Sequence, residues 1–118
     1  VTSAKRALET FPAPDHVQSV TFASDELTSL CPLTGQPDFN SIEIRYAPDL
    51  RCIESKSLKL YLWSFRDEGA FVETLASTIA GDVFDATDAH WVEVGIEQHV
   101  RGGIVTTAVA RRERAPTA

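Results

Sequence analysis

"NSIEIRYAPDLRCIESKSLKLYLWSF", Asn40 to Phe65, changes its hydrophobic period halfway along. In its first part Ile42, Ile44 and Tyr46 alternate with Glu43 and Arg45, the two-residue period of a strand buried on one face. Beyond Ser55 the apolar residues Leu58, Tyr61, Leu62 and Phe65 recur at helical spacings, with Ser55 a suitable N-cap and Gly69 a suitable stop. Working outward, "HVQSVTFA" supplies an earlier strand with Val20 and Phe22 on one face. On the other side, "AFVETLASTIAGDVFDA" places Phe71, Leu75, Ile79 and Val83 on one stripe of a second helix. "HWVEVGIEQHV" returns to period two, with Val92, Val94 and Ile96 opposed to Trp91, Glu93 and Glu97. Arg101, Gly102 and Gly103 make a tight turn, and the β-branched "IVTTAVA" is a last strand. The reading is an α+β domain of order ββααββ: a four-stranded antiparallel sheet with two helices packed on one face.

At 118 residues the chain is one domain. The prolines of "FPAPD" mark residues 1–14 as an N-terminal arm, 15–110 as the domain, and "RRERAPTA", 111–118, as a solvated tail. The far face of so small a sheet, and its edges, stay uncovered, which predicts an oligomer. A hydrophobic fraction of 43% and a charged fraction of 24% exclude disorder and a membrane span. The net charge of −6 argues against broad attraction to nucleic acid. Cys31 and Cys52 have neither the number nor the spacing of a zinc site, and His16, His90 and His99 form no ligand pair, so no metal is expected. Two cysteines without a secretory leader predict free thiols in a cytoplasmic protein.

Three places could carry chemistry. In "LCPLTGQPDF", Cys31 sits in a turn whose amides could favour a thiolate, with Asp38 close enough in sequence to share its pocket. The same residues also suit a buried small thiol, with Asp38 capping the Pro37 turn. At the junction after Cys52, Glu54 and Ser55 offer a carboxylate and backbone N–H groups to a polar ligand. Lys56 and Lys59 share a face of the first helical turns, where the dipole disfavours cations; a bound phosphate explains them, and so does plain solvation. Glu73, in "FVET", reads either as a ligand for a polar group or as a surface glutamate.

Taken together these stretches resemble the QueF family, the NADPH-dependent 7-cyano-7-deazaguanine reductases of queuosine biosynthesis. "ESKSLKLY", Glu54 to Tyr61, matches that family's signature at every place, and "CPLTGQPDF", "RYAP", "SFR" and "RGG" agree in order between about Thr21 and Ile104. The resemblance implies a tunnelling fold, related to GTP cyclohydrolase I, whose subunits assemble into rings with active sites between neighbours. It implies that Cys31 attacks the nitrile to form a covalent thioimide and that Asp38 protonates the nitrogen. It assigns Glu73 to the guanine-like edge of the substrate and Ile53, Glu54, Ser55 and Val72 to the base pocket. Lys56, Lys59 and Arg101 would hold the phosphates of NADPH, consumed as a co-substrate.

The sequence also departs from that family. Phe71, Val72 and Glu73 stand where Phe-His-Glu is usual, and valine cannot move a proton. His90 and His99 are candidate replacements. Leu75 occupies a position where some relatives have a cysteine able to pair with the nucleophile, Cys52 reads as core packing, and the chain after the Arg-Gly-Gly turn is shorter than the family's. The alternative function is that of the QueF-like amidinotransferases, which form the same thioimide without reducing it; Lys56 and Lys59 favour the reductase. A binding module without catalysis would need neither Cys31 nor Asp38.

Overall fold

The computed structural model describes residues 4–116; Val1–Ser3 of the arm and Thr117–Ala118 of the tail lie outside the described residues. The elements are β1 (Thr10–Pro12), β2 (Val20–Leu30), β3 (Pro37–Ala47), β4 (Arg51–Ile53), α1 (Ser55–Trp63), α2 (Val72–Thr87), β5 (Trp91–Arg101) and β6 (Ile104–Glu113). The predicted sheet is present, antiparallel in the order β2-β3-β5-β6. Both helices lie on one face, where Ile42, Ile44, Val92, Val94 and Ile96 meet Leu58, Leu75 and Ile79 in a single core. That outcome follows from the alternation read in the sequence: the inward positions of β3 and β5 are its apolar ones.

Four local differences matter. The arm is not free: β1 pairs antiparallel with β4, and Arg6 stacks on the Phe65 ring at 3.6 Å while its Nε donates to Ser64 Oγ at 2.6 Å. These strands span three residues each and contain Pro12, too short for any periodic signal. The tail also belongs to the domain as far as Glu113. Arg111 pairs with Glu93 at 3.4 Å, Arg112 stacks on Phe84, and Arg114 reaches Asp49 at 3.0 Å. Third, Ser55 is the first residue of α1 and Glu54 is its cap. Fourth, Phe71 is the N-cap of α2 and is 54% exposed, so the buried stripe starts at Val72, not at Phe71.

Arg114 also donates to the carbonyl of Asp88, the left-handed residue (φ 52°) that ends α2. It therefore ties the last strand to that helix end and to the loop before β4. Because its ion pair is partly exposed, Arg114→Ala is expected to cost about 0.5–1 kcal/mol in urea unfolding, with the slope of the transition unchanged.

Candidate active site

The decisive local feature is a bulge in β2. Ser24 pairs with Ile42 but Leu27 pairs with Asn40, so Asp25 and Glu26 together oppose Ser41. Before the bulge Val20 and Phe22 share one face; after it the inward positions are Leu27 and Ser29, and Cys31 follows at the same interval. Without the extra residue the cysteine would project from the opposite face. Ser29 pairs with Asp38, which brings the start of β3 beside the thiol turn.

The turn closes on itself: Cys31 N–H donates to the Gln36 carbonyl and Gly35 N–H to that of Cys31, each at 2.8 Å. Gly35 takes φ +75°, a conformation most side chains avoid. The Thr34 hydroxyl, then the backbone amides of Leu33 and Thr34, lower the Cys31 pKa below the ordinary thiol value, while burial and the charge of Asp38 oppose them. Gly69, expected only to stop a helix, bridges in parallel to Leu30, with Leu30 N–H on the Glu68 carbonyl and Ala70 N–H on that of Leu30. This bridge delivers the N-terminus of α2 to the thiol.

The result is a cavity of about 260 Å³ in which Cys31, Asp38, Val72, Glu73 and Arg101 converge. Asp38 belongs to β3, not to a loop, and is 3% exposed; it does not cap the Pro37 turn. Arg101 Nε lies 2.7 Å from Asp38 Oδ1. The guanidinium expected on a cofactor phosphate is thus at the acid of the thiol site. Glu73 lies in the first turn of α2, where the helix dipole favours its charge.

Two polar cavity residues escaped the reading of the sequence: Gln98 and Thr106, paired across β5 and β6. Extending the inward series Val92, Val94, Ile96 by one step finds Gln98. The same parity removes a candidate histidine: His99 faces the other way, 3.4 Å from Ser41 Oγ. His90 lies beyond the far end of β5, its N–H on the Ala47 carbonyl. Neither lines the thiol cavity of its own subunit.

The remaining predicted residues lie elsewhere in the subunit. Ile53 is core, its N–H on the Tyr46 hydroxyl at 2.8 Å. Both oxygens of Glu54 accept from α1, from Lys56 N–H and Ser57 N–H, each at 2.7 Å; these bonds hold its carboxyl below the usual range. Ser55, Lys56 and Lys59 edge a separate groove of about 680 Å³ walled by Phe22, Ile42 and Leu58, which shares no residue with the thiol cavity. Neither lysine is in an ion pair among the described residues. Cys52 is buried and free, as expected of packing.

Because the Glu54 pKa is depressed by folding, its contribution is present above the unfolded value and is lost as pH falls through the folded one. Glu54→Gln is therefore expected to lower the urea midpoint at pH 7, and the gap from the native chain should close in acid below the ordinary carboxyl value of 4.5.

A thiol whose pKa is lowered, a buried carboxylate and a second carboxylate in one cavity are an arrangement suited to a cysteine nucleophile, on a two-layer α+β domain. Comparison with known proteins narrows this. The family model described as QueF-like protein matches residues 37–117, and the chain belongs to that family. An NADPH-dependent 7-cyano-7-deazaguanine reductase of Anaeromyxobacter sp. (strain Fw109-5) is 48% identical over 98% of this chain and 96% of its own. A protein of the same name from Alkalilimnicola ehrlichii is 49% identical over 96% and 89%. The fold matches the crystal structure of the archaeosine synthase QueF-Like in the apo form with a TM-score of 0.79, at 20% identity, over 86% of this chain and 100% of that one.

Proposed function

We propose that this chain reduces the nitrile of 7-cyano-7-deazaguanine to the aminomethyl group, with NADPH as reductant, in queuosine biosynthesis. The observation that carries the reading is the convergence of Cys31, Asp38 and Glu73 in one cavity, in a chain nearly half identical to reductases of that name over almost its whole length. Glu73 accepts from the ring N–H and the exocyclic amine of the guanine-like edge, a pairing only a carboxylate completes. Cys31 sulfur then bonds to the nitrile carbon as one C–N π bond breaks, and the thiol proton passes through Asp38 to the nitrogen. Val72 takes no part in proton transfer; it closes the cavity wall, and Gln98 and Thr106 supply the neutral hydrogen-bonding groups.

NADPH supplies two hydrides, one molecule for each, since nitrile to amine is a four-electron reduction. The groove fits such a cofactor: apolar walls suit its rings, and Lys56 and Lys59, otherwise unexplained on an early helical turn, suit its phosphates. The thiol cavity alone lies below the roughly 300–1,000 Å³ usual for ligand sites. With the groove separate, and the outer edges of β6 and of β2 before its Leu30 bridge unpaired among the described residues, this favours rings in which one subunit's cavity meets a neighbour's groove. The reading places the enzyme in the cytoplasm, where both cysteines stay reduced. No helix among the described residues is long and apolar enough to cross a membrane.

The amidinotransferase alternative is served by the same thiol cavity but leaves Lys56 and Lys59 without a role. Intact mass after incubation with the nitrile alone tests the shared first step. The expected result is a gain equal to the whole nitrile, located on Cys31 by peptide mapping. An unmodified protein would reject a thioimide mechanism of either kind.

A further inference from the structure

We propose that Arg101 is a positioning residue for Cys31 and Asp38, and not a holder of cofactor phosphate. The proposal rests on the thioimide reading and deepens it. Arg101 closes β5 just before Gly102 (φ 58°) and Gly103 (φ 77°), so a tight hairpin fixes where its side chain begins. Its guanidinium then engages three consecutive residues. Nη1 donates to Gln36 Oε1 at 3.2 Å, Nη2 to the Pro37 carbonyl at 2.5 Å, and Nε stands 2.7 Å from Asp38 Oδ1. Gln36 is the residue whose carbonyl receives the Cys31 N–H. One side chain from the β5–β6 hairpin therefore holds both the acid and the far end of the nucleophile's turn.

The contact with Asp38 is ionic in character. The Asp38 side chain is 2% exposed, and a carboxylate so buried needs a counter-charge. Yet Nε–H is not aimed at Oδ1, which is buried and has no hydrogen-bond partner. The arrangement holds the carboxylate in place and leaves that oxygen able to take a proton. Around the cavity the charged or titratable groups facing Asp38 are Cys31 from the turn, Glu73 from α2 and Arg101 from β5, and Arg101 is the cation among them. Lys56 and Lys59, the other cations assigned to phosphate, line a groove that Arg101 does not.

Capture of the nitrile needs no NADPH, which separates the two roles. The test measures adduct formation with 7-cyano-7-deazaguanine alone for the native chain, Arg101→Met and Arg101→Lys, beside the pH profile of Cys31 alkylation by iodoacetamide. The expected result is adduct formation slowed about tenfold to a hundredfold in Arg101→Met. Its alkylation profile should move to higher pH, because an uncompensated Asp38 charge disfavours the thiolate. Arg101→Lys, which restores charge but not the fork, should fall between. Native adduct rates and alkylation in Arg101→Met, with only the KM for NADPH raised, would overturn the proposal. If the native chain forms no adduct, the thioimide reading falls, and the alkylation profiles decide whether Arg101 governs the thiol.

Discussion

Cys31→Ala is expected to abolish both covalent capture of the nitrile and NADPH oxidation, a loss of more than about a thousandfold in kcat. No other thiol can substitute, since Cys52 is buried in the core. The turn should survive the change, because its closing bonds run from the backbone N–H and C=O of residue 31. Binding of the nitrile should persist as well, because Glu73, the residue proposed for the guanine-like edge, stands on α2 and is positioned independently of the sulfur. Calorimetry on the variant should therefore give an affinity within a few-fold of the native one. Residual turnover above about one part in a hundred would mean that the adduct is not on the reaction path.

Asp38→Asn should lower kcat by about 10²- to 10⁴-fold, the range that a positioned acid or base contributes. Asparagine keeps the shape of the side chain but can neither take the thiol proton nor return it to nitrogen. The KM for the nitrile should change little, since Asp38 is not assigned to the ring edge. Arg101, 41% exposed, can turn to water when its partner loses charge, so the fold should hold, which circular dichroism can check. A variant that loses affinity while keeping kcat would move Asp38 from proton transfer to binding.

The elements that sequence made legible are those with many residues in one period. In β3 and β5 the alternation of apolar and polar residues fixed both existence and facing, and in α2 the stripe from Leu75 to Val83 fixed the buried side. What escaped notice is short or depends on a partner. The β1–β4 pair carries too few residues for a period. The bulge at Asp25 and Glu26 is two polar residues in a strand and reads as surface until its partner Ser41 is known. Glu54 displaced Ser55 as the helix cap because its longer side chain brings both oxygens to two amides at once.

The site shows the same division. Cys31 and Asp38, seven residues apart, and Glu73, distant from both, stand out as candidates in the sequence and take their roles from the resemblance; the bulge and the Gly69 bridge explain physically why they meet. Arg101 was named too, but for a phosphate. Its engagement with Gln36, Pro37 and Asp38 depends on the hairpin and the Cys31 turn lying side by side, which no local pattern encodes. Val72 is buried at 3% in the first turn of α2, so the position that would carry a polar ring in relatives is here part of the apolar wall.

The most direct test is the stoichiometry of reduction. Purified protein with limiting 7-cyano-7-deazaguanine and excess NADPH should consume two NADPH per nitrile, followed by absorbance, and yield one primary amine identified by mass. Covalent capture at Cys31 with no consumption of NADPH would contradict the reductase and leave an enzyme that completes the thioimide in another way.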